Sequence, residues 1–252
     1  MCGRFAIDAT PDQIAAHFAL ADVEDFPARY NIAPTQPVLL IIAGNPREPG
    51  SNLPGRRSML VRWGLIPGWW KNPAKLPLLF NARSETAAEK ASFRAAMRHR
   101  RALVPASGFY EWRRDGKSGS QPYWIRPRNG GVVAFAALME TFAEPGGSEV
   151  DTGAILTTVA NEDIAFVHDR MPVVIRPEDF ARWLDCRNLE PRDVADLMQP
   201  PEQGMFEAIP VSDNVNKVAN TGLGLQRRVE IPAAPKEVAS KKPAGDRQMK
   251  MF

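Results

Sequence analysis

Only two cysteines, Cys2 and Cys186, occur in 252 residues, which excludes a disulfide framework as the basis of the fold. Histidine is equally scarce, with His17, His99 and His168, and no His/Cys ligand spacing exists to hold a metal, so neither metal nor cofactor is expected. No apolar run approaches the ~20 residues that a membrane helix needs; VLLIIA at residues 38–43 is far too short. The first twenty residues carry acids and polar groups where a signal peptide needs an apolar stretch. Gly stands third rather than second, so the myristoylation pattern is not met. These absences predict a soluble, cytoplasmic protein without a membrane partner, nucleoid-associated if prokaryotic. An excess of one charge sign is also lacking in the body. The formal charge is +3, but residues 232–252 hold five basic and two acidic side chains and account for all of it, leaving 27 of each sign elsewhere. A nucleic-acid argument must therefore rest on a local patch.

What is present suits one folded domain. Hydrophobic residues make up 44%, enough for a core, and residues 1–231 are read as a single domain followed by a Pro/Ala/Lys-rich tail, 232–252, expected to be disordered. Thr10-Pro11-Asp12-Gln13 has the form of a capping box with proline at N1, predicting a helix over 11–20 that buries Ile14 and Phe18. Alanine-rich composition, with Phe93 and Met97 four apart, predicts a second helix over 84–98. Further helices are expected over 177–186 and 191–198. Strand signals fall at 37–43, 58–63, 101–105, 108–113, 122–126, 132–140, 155–159, 171–175 and 206–211, with a turn at 115–120. Residues 44–57 read as a long Pro/Gly loop. Short strands dominate, so the predicted fold class is α+β: a mostly antiparallel, partly barrel-like β-sheet core with peripheral helices. Cys186 closes an amphipathic stretch and is expected to be a small buried hydrophobe. His17 and His99 are expected at the surface or as filler.

Cys2 differs from Cys186 by its position. Initiator methionine is normally trimmed before a small residue, and the product would carry an α-amine and a thiol on adjacent carbons. With a reference pKa near 7.7, roughly 17% of such an amine is neutral at pH 7, against about 0.04% of a lysine at 10.4. Its natural electrophile is an aldehyde, giving a Schiff base. The neighbouring thiol can then close on the imine carbon as a five-membered thiazolidine, which turns a reversible adduct into a stable one.

Three other segments hold candidate chemistry. Glu111 sits among aromatics in Gly108-Phe109-Tyr110-Glu111-Trp112. It is either paired, or desolvated with a pKa raised toward general-acid use, or it faces solvent. His168, in His168-Asp169-Arg170-Met171-Pro172, lies at a loop-to-strand boundary, where catalytic side chains collect. Asn81-Ala82-Arg83-Ser84-Glu85 follows an apolar stretch directly. Trp69 and Trp70 follow Pro67-Gly68 in a turn and would either stack on bases, at about 1–3 kcal/mol each, or plug the core beneath a loop. Arg94, Arg98, Arg100 and Arg101 form a basic run that a solvated helix face explains equally well.

Together, MCGRF, RYNIAP, RWGLIPGWW, NARSET, GFYEW, HDRMP and PVSDNVN, in that order from Cys2 to about Gly222, resemble the SOS response-associated peptidase (SRAP) family of abasic-site processing proteins. The resemblance implies capture of the ring-opened abasic sugar in single-stranded DNA, as a covalent crosslink, by a monomeric protein that modifies itself. By resemblance, Cys2 is the nucleophile through amine and thiol, and Asn81 holds its terminus. Glu111 moves protons during ring opening and imine formation, and His168 acts on the sugar hydroxyl or assists ring closure. Arg4, Arg83 and Arg170 are expected to position phosphates, Trp69 and Trp70 to stack on or wedge between bases, and Asn31 and Pro34 to shape the groove. One rival is an N-terminal-nucleophile cysteine hydrolase, since glutamine amidotransferases of that class also begin Met-Cys-Gly. Another is a non-covalent single-strand binder. Strand cleavage by β-elimination from the imine is a side path of the preferred chemistry.

Overall fold

The stretches expected as strands assemble into two sheets that meet along an aromatic seam. The computed structural model describes residues 2–21, 23, 26–45, 55–72, 75–114, 119–144 and 146–231. The tail, most of the 44–57 loop and most of the 115–120 turn therefore lie outside the described residues. In chain order the elements are β1 (Phe5–Ile7), α1 (Pro11–Phe18), β2 (Arg29–Ile32), β3 (Pro37–Ala43), β4 (Arg56–Trp63), β5 (Asn81–Arg83), α2 (Arg94–His99), β6 (Arg101–Ala106), β7 (Gly108–Arg114) and β8 (Ser120–Pro127). They continue with β9 (Val133–Ala143), β10 (Glu149–Val159), β11 (Arg170–Pro172), β12 (Val174–Ile175), α3 (Phe180–Leu184) and β13 (Phe206–Pro210).

One sheet is open, in the order β13-β8-β7-β1-β2. The other runs β11-β10-β4-β3-β6-β9-β12, and β9 pairs back onto β10, so β10, β4, β3, β6 and β9 close into a ring. The expected mixed α+β class and partly barrel-like sheet are both found. Most pairings are antiparallel; β10 runs parallel to β4 and to β5. Phe5 of the open sheet meets Trp63 and Phe135 of the ring edge-on, with centroids 5.2 and 6.3 Å apart. Phe109 meets Phe135 at 5.9 Å. These buried rings lock the two sheets together three residues from Cys2.

α1 starts where the capping box predicts. Gln13 N–H donates to Thr10 Oγ1 (3.2 Å) and Thr10 N–H to Gln13 Oε1 (2.9 Å). Ile14 and Phe18 are buried as expected, Phe18 stacked on Phe180 of α3. The helix expected over 84–98 is found only at 94–99. Residues 84–93 form tight turns, because Ser84 N–H is tied to Thr157 O of β10 (2.9 Å) and the chain folds back through Thr86 N–H to Arg83 O (3.1 Å) and Glu89 N–H to Thr86 O (3.1 Å). The 191–198 helix is 3-10 throughout, and 177–186 is a 3-10 turn leading into α3. The strand expected at 171–175 divides, its first part pairing with β10 and its second with β9.

Two side-chain expectations are also revised. Cys186 is partly exposed rather than buried, and its Sγ accepts from Arg101 N–H at 3.3 Å. Arg101 leaves the basic run: it is 2% exposed, and its guanidinium donates to the carbonyls of Met97, Trp183, Asp185 and Leu189 at 2.7–3.1 Å. It ties α2, α3 and the following turn to the ring. Arg101→Leu strands four carbonyls, two of them in buried and two in part-buried bonds, so a stability loss of about 3–5 kcal/mol is expected in chemical denaturation; a loss below about 1 kcal/mol would show that water replaces the guanidinium.

Candidate active site at the seam between the sheets

The open sheet delivers two of the four expected catalytic side chains. Tyr110 N–H donates to Arg4 O at 2.9 Å, and Phe5 opposes Phe109, so extending this antiparallel ladder brings Glu111 level with the Cys2-Gly3 backbone. On its other side β7 packs closely on β8 at Gly108, where a Cβ would lie 2.4 Å from Ile125 O and 2.7 Å from the Trp124 ring, closer than atoms can pack.

The ring supplies the other two from opposite edges of β10. On one edge Asn81 opposes Ile155 and Arg83 opposes Thr157. On the other edge Arg170 opposes Val159, with His168 just before it. Trp63 Nε1 donates to Phe80 O (2.9 Å), which fixes the backbone immediately before Asn81. The two sheets then meet chemically: His168 Nε2 lies 4.0 Å from Glu111 Oε2.

Burial sets the protonation states. Cys2 is fully buried, its Sγ directed at Arg4 O at 3.7 Å. Desolvation, reinforced by the negative charge of Glu111, pushes its thiol far above the ordinary range. Glu111 is 3% exposed, and loss of water raises its carboxyl pKa, opposed in part by the neighbouring His168. Of the three readings open for Glu111, exposure to solvent is removed: the carboxyl is desolvated and also has His168 Nε2 at 4.0 Å. Arg170 N–H donates to His168 Nδ1 at 2.9 Å; since a peptide N–H cannot give up its proton, Nδ1 accepts and the ring proton of neutral His168 is assigned to Nε2, the nitrogen facing Glu111. The exposed carboxylate of Asp169 also lies 3.0 Å from Nδ1, but the peptide donor outranks it in fixing the tautomer. Asn81 Nδ2 donates to Ile155 O (3.3 Å), while its Oδ1 is buried with no hydrogen-bond partner among the described residues. A buried acceptor left unsatisfied is a place for a ligand donor.

The surrounding candidates divide into two groups. Arg4 donates to Asn31 Oδ1 (2.8 Å), Val215 O (2.6 Å) and Asn216 O (3.2 Å). Buried Asn31 donates to the carbonyls of Val215, Lys217 and Asn220 at 3.0–3.3 Å. Trp112 Nε1 adds a bond to Asn216 Oδ1 (2.8 Å). The segment around 215–220 is thus a brace that fixes the strand starts flanking Cys2 and Glu111, and it takes two of the Arg4 bonds and the Asn31 amide N–H groups. Pro34 is half-buried and Arg83 is exposed. Trp69 is 56% exposed, tilted against half-buried Trp70 with centroids 5.1 Å apart, which removes the core-plug reading for Trp69.

Two features escaped the sequence reading. Phe166, 53% exposed, stands edge-on to Tyr123 at 5.6 Å, and Tyr123 pairs across the ladder with Glu111. In the sequence Phe166 is one apolar residue in IAFV, with nothing to mark it as uncovered. The other is Glu85, whose carboxylate holds Arg170 and which the sequence marks only as the acid that ends Asn81-Ala82-Arg83-Ser84-Glu85. Cavities of about 780 and 710 Å³ share no lining residue with the seam; the first opens at the ring end where β3 gives way to β4. Among the described residues no group of three or more His, Cys, Asp and Glu could hold a metal ion, and no helix is long and apolar enough to cross a membrane.

An α+β ring-plus-sheet protein that buries a cysteine beside its start, against a desolvated acid, is the class that fold and site define. A model of the SOS response associated peptidase (SRAP) family matches residues 1–218, and the chain belongs to that family. It is 38% identical over 224 residues to the abasic site processing protein YoqW of Bacillus subtilis, covering 87% of this chain and 96% of that one. To the abasic site processing protein YedK of Escherichia coli it is 34% identical over 233 residues, covering 89% and 98%. To the abasic site processing protein HMCES of Gallus gallus it is 30% identical, covering 83% and 68%. The X-ray structure of a protein from Bacteroides thetaiotaomicron shares the fold, with a TM-score of 0.74 over 91% of this chain and all of that one at 24% identity.

Proposed function

We propose that this protein processes abasic sites in single-stranded DNA by capturing the ring-opened sugar covalently on Cys2. The observation that carries the reading is the 4.0 Å approach of His168 Nε2 to a desolvated Glu111 whose charge also acts on the buried Cys2 thiol; the unsatisfied, buried Asn81 Oδ1 on the strand paired with β10 supports it. Removal of Met1 frees the α-amine, which donates to Asn81 Oδ1 and is held there. Glu111, kept protonated to higher pH than an ordinary carboxyl, delivers a proton to the sugar as its ring opens to the aldehyde. The amine adds to the carbonyl carbon, one water leaves, and an imine forms. The buried thiol is neutral, so it does not lead the attack; it adds once the imine is in place. Its sulfur bonds the imine carbon, its proton ends on the nitrogen, and the thiazolidine closes without an external oxidant or base. His168 relays protons between the sugar hydroxyl and Glu111.

The same chemistry accommodates two lesser activities. Loss of Met1 is the hydrolytic step that the word peptidase fits, and an imine that the thiol fails to close can lose the 3′ phosphate by β-elimination, a weak lyase reaction. Glutamine or general peptide hydrolysis is disfavoured, because a thiol so far from its thiolate form is a poor nucleophile for an amide. The protein is read as a monomer. Intact mass is the deciding measurement: loss of Met1, then a gain equal to an abasic oligonucleotide less one water. Ammonia released from glutamine with no such gain would overturn the proposal.

On this reading Trp69 and Trp70, tilted together with Trp69 exposed, supply a surface for stacking bases. Trp69→Ala is expected to weaken binding of single-stranded DNA by about 1–3 kcal/mol in fluorescence anisotropy, with the adduct still forming at saturating DNA. Unchanged affinity would leave the pair without a role in the groove.

A further inference from the structure

Arg170 is not simply a cation waiting at the surface. Its guanidinium donates through Nη1 to Glu85 Oε1 (2.6 Å) and through Nη2 to Glu85 Oε2 (2.9 Å), the two-point geometry with which an arginine also grips a phosphate. Nη2 reaches in addition to Thr157 O (2.5 Å) and Thr157 Oγ1 (3.3 Å) of β10. The pair therefore straddles the C-terminal part of β10, joining the turn after β5 to the start of β11. Exposure orders the two partners: the Glu85 side chain is 45% exposed and that of Arg170 only 12%. The carboxylate is the outer group, and an anion arriving from solvent must displace it to reach the guanidinium.

We propose that Glu85 is a specificity-determining residue that masks Arg170 as an internal stand-in for a DNA phosphate. The inference rests on the reading that this face meets the DNA strand. Exchange of a carboxylate for a phosphate oxygen pair on the same two Nη groups replaces like with like, and the bonds to Thr157 keep the guanidinium aimed throughout. The exchange yields little net attraction, so a passing undamaged strand meets one free cation fewer. A strand held by its sugar at Cys2 stays long enough to make the exchange. The arginine fork also holds the Glu85 carboxyl below its usual pKa, so the mask persists across the neutral range. Retention is thereby shifted from backbone charge, common to all DNA, to the aldehyde, which only damaged DNA presents.

The test uses the full chain and a short undamaged oligodeoxynucleotide, titrated by anisotropy across a salt series. Glu85→Gln is expected to bind about 3- to 10-fold tighter at low salt, with a plot of log affinity against log salt steeper by about 0.7, the value for one additional phosphate contact on a single strand. Glu89→Gln, which removes a charge from the same turn, is expected to leave that slope unchanged. Adding Arg170→Gln to Glu85→Gln is expected to abolish the gain. Glu85→Asp, which keeps the charge but lacks the reach for both Nη groups, is expected to fall between, and it serves where the glutamine variant does not fold. An unaltered slope in Glu85→Gln, or a gain that survives Arg170→Gln, overturns the proposal. Adduct formation with abasic DNA is read separately on denaturing gels. No adduct with the parent protein would sink the capture reaction, while the salt slopes would still decide the role of Glu85.

Discussion

Cys2→Ser is expected to lose the adduct that survives a denaturing gel, yet still to yield one when borohydride is present during incubation. The variant keeps a small residue after Met1, so the α-amine is still exposed and still forms an imine, which borohydride reduces to a stable secondary amine. Without sulfur the five-membered ring closes poorly, and the unreduced imine hydrolyses on denaturation. The substitution is nearly isosteric, although the shorter C–O bond leaves the hydroxyl out of hydrogen-bond range of Arg4 O, which the thiol now faces at 3.7 Å. Affinity for undamaged DNA should change little. This experiment separates the two halves of the proposed nucleophile, which a simple loss of activity would not. A gel-stable adduct in Cys2→Ser without borohydride would remove the thiol from the mechanism. No adduct even with borohydride would remove the amine.

Glu111→Gln is expected to slow adduct formation by about 10²–10⁴-fold, the usual range for loss of a general acid–base group, and at the same time to raise the melting temperature at neutral pH. The second effect follows from the direction of its pKa. Burial raises the Glu111 carboxyl above its unfolded value, so the protonated acid suits the fold and the carboxylate does not. The stability it contributes is complete below the ordinary carboxylate range, near 4.3, and is lost as pH rises through the raised folded value. Glutamine is neutral throughout and escapes that loss. The variant should therefore melt a few degrees above the parent at neutral pH, each 1 kcal/mol being worth about 2–4 °C in a chain this long, and the gap should close as pH falls toward about 4. A lower melting point at neutral pH would mean that the His168 contact outweighs desolvation. An unchanged rate would take the proton-transfer role away from Glu111.

The two variants bear on one physical point. Burial disfavours the charged form of both a cysteine and an acid that lie 109 positions apart in the chain, so the capture proposed above passes protons between groups whose neutral forms the fold favours. The strain is local: Glu111 lies on a strand whose neighbours Phe109 and Tyr110 are fully buried, so the aromatic seam enforces the desolvation.

The sequence alone carried much of the outline. The capping box at Thr10, the strand at 37–43, the central hairpins and the α+β class were all legible, because capping and alternation are local properties. The four candidate catalytic residues were legible through ordered motifs. Other parts were not. The three-residue strands β1 and β5, which carry the chain from Cys2 and hold Asn81, are too short to show any period; pairing with β7 and β10 makes them strands. The 84–93 turns look helical because alanine favours helix, but a tether at Thr157 overrides propensity. Arg101 and Arg98 are indistinguishable as letters, yet one is buried among four carbonyls and the other pairs with Glu190 at the surface. Chain chemistry by itself was enough to single out the proposed nucleophile, an amine and a thiol on adjacent carbons, since that depends on covalent order. Only the tertiary structure decided that burial pushes up both the Cys2 thiol and the Glu111 carboxyl, that His168 turns its Nε2 toward Glu111 and that Arg170 is already occupied. Those properties depend on burial and on contacts between distant segments, which no local pattern encodes.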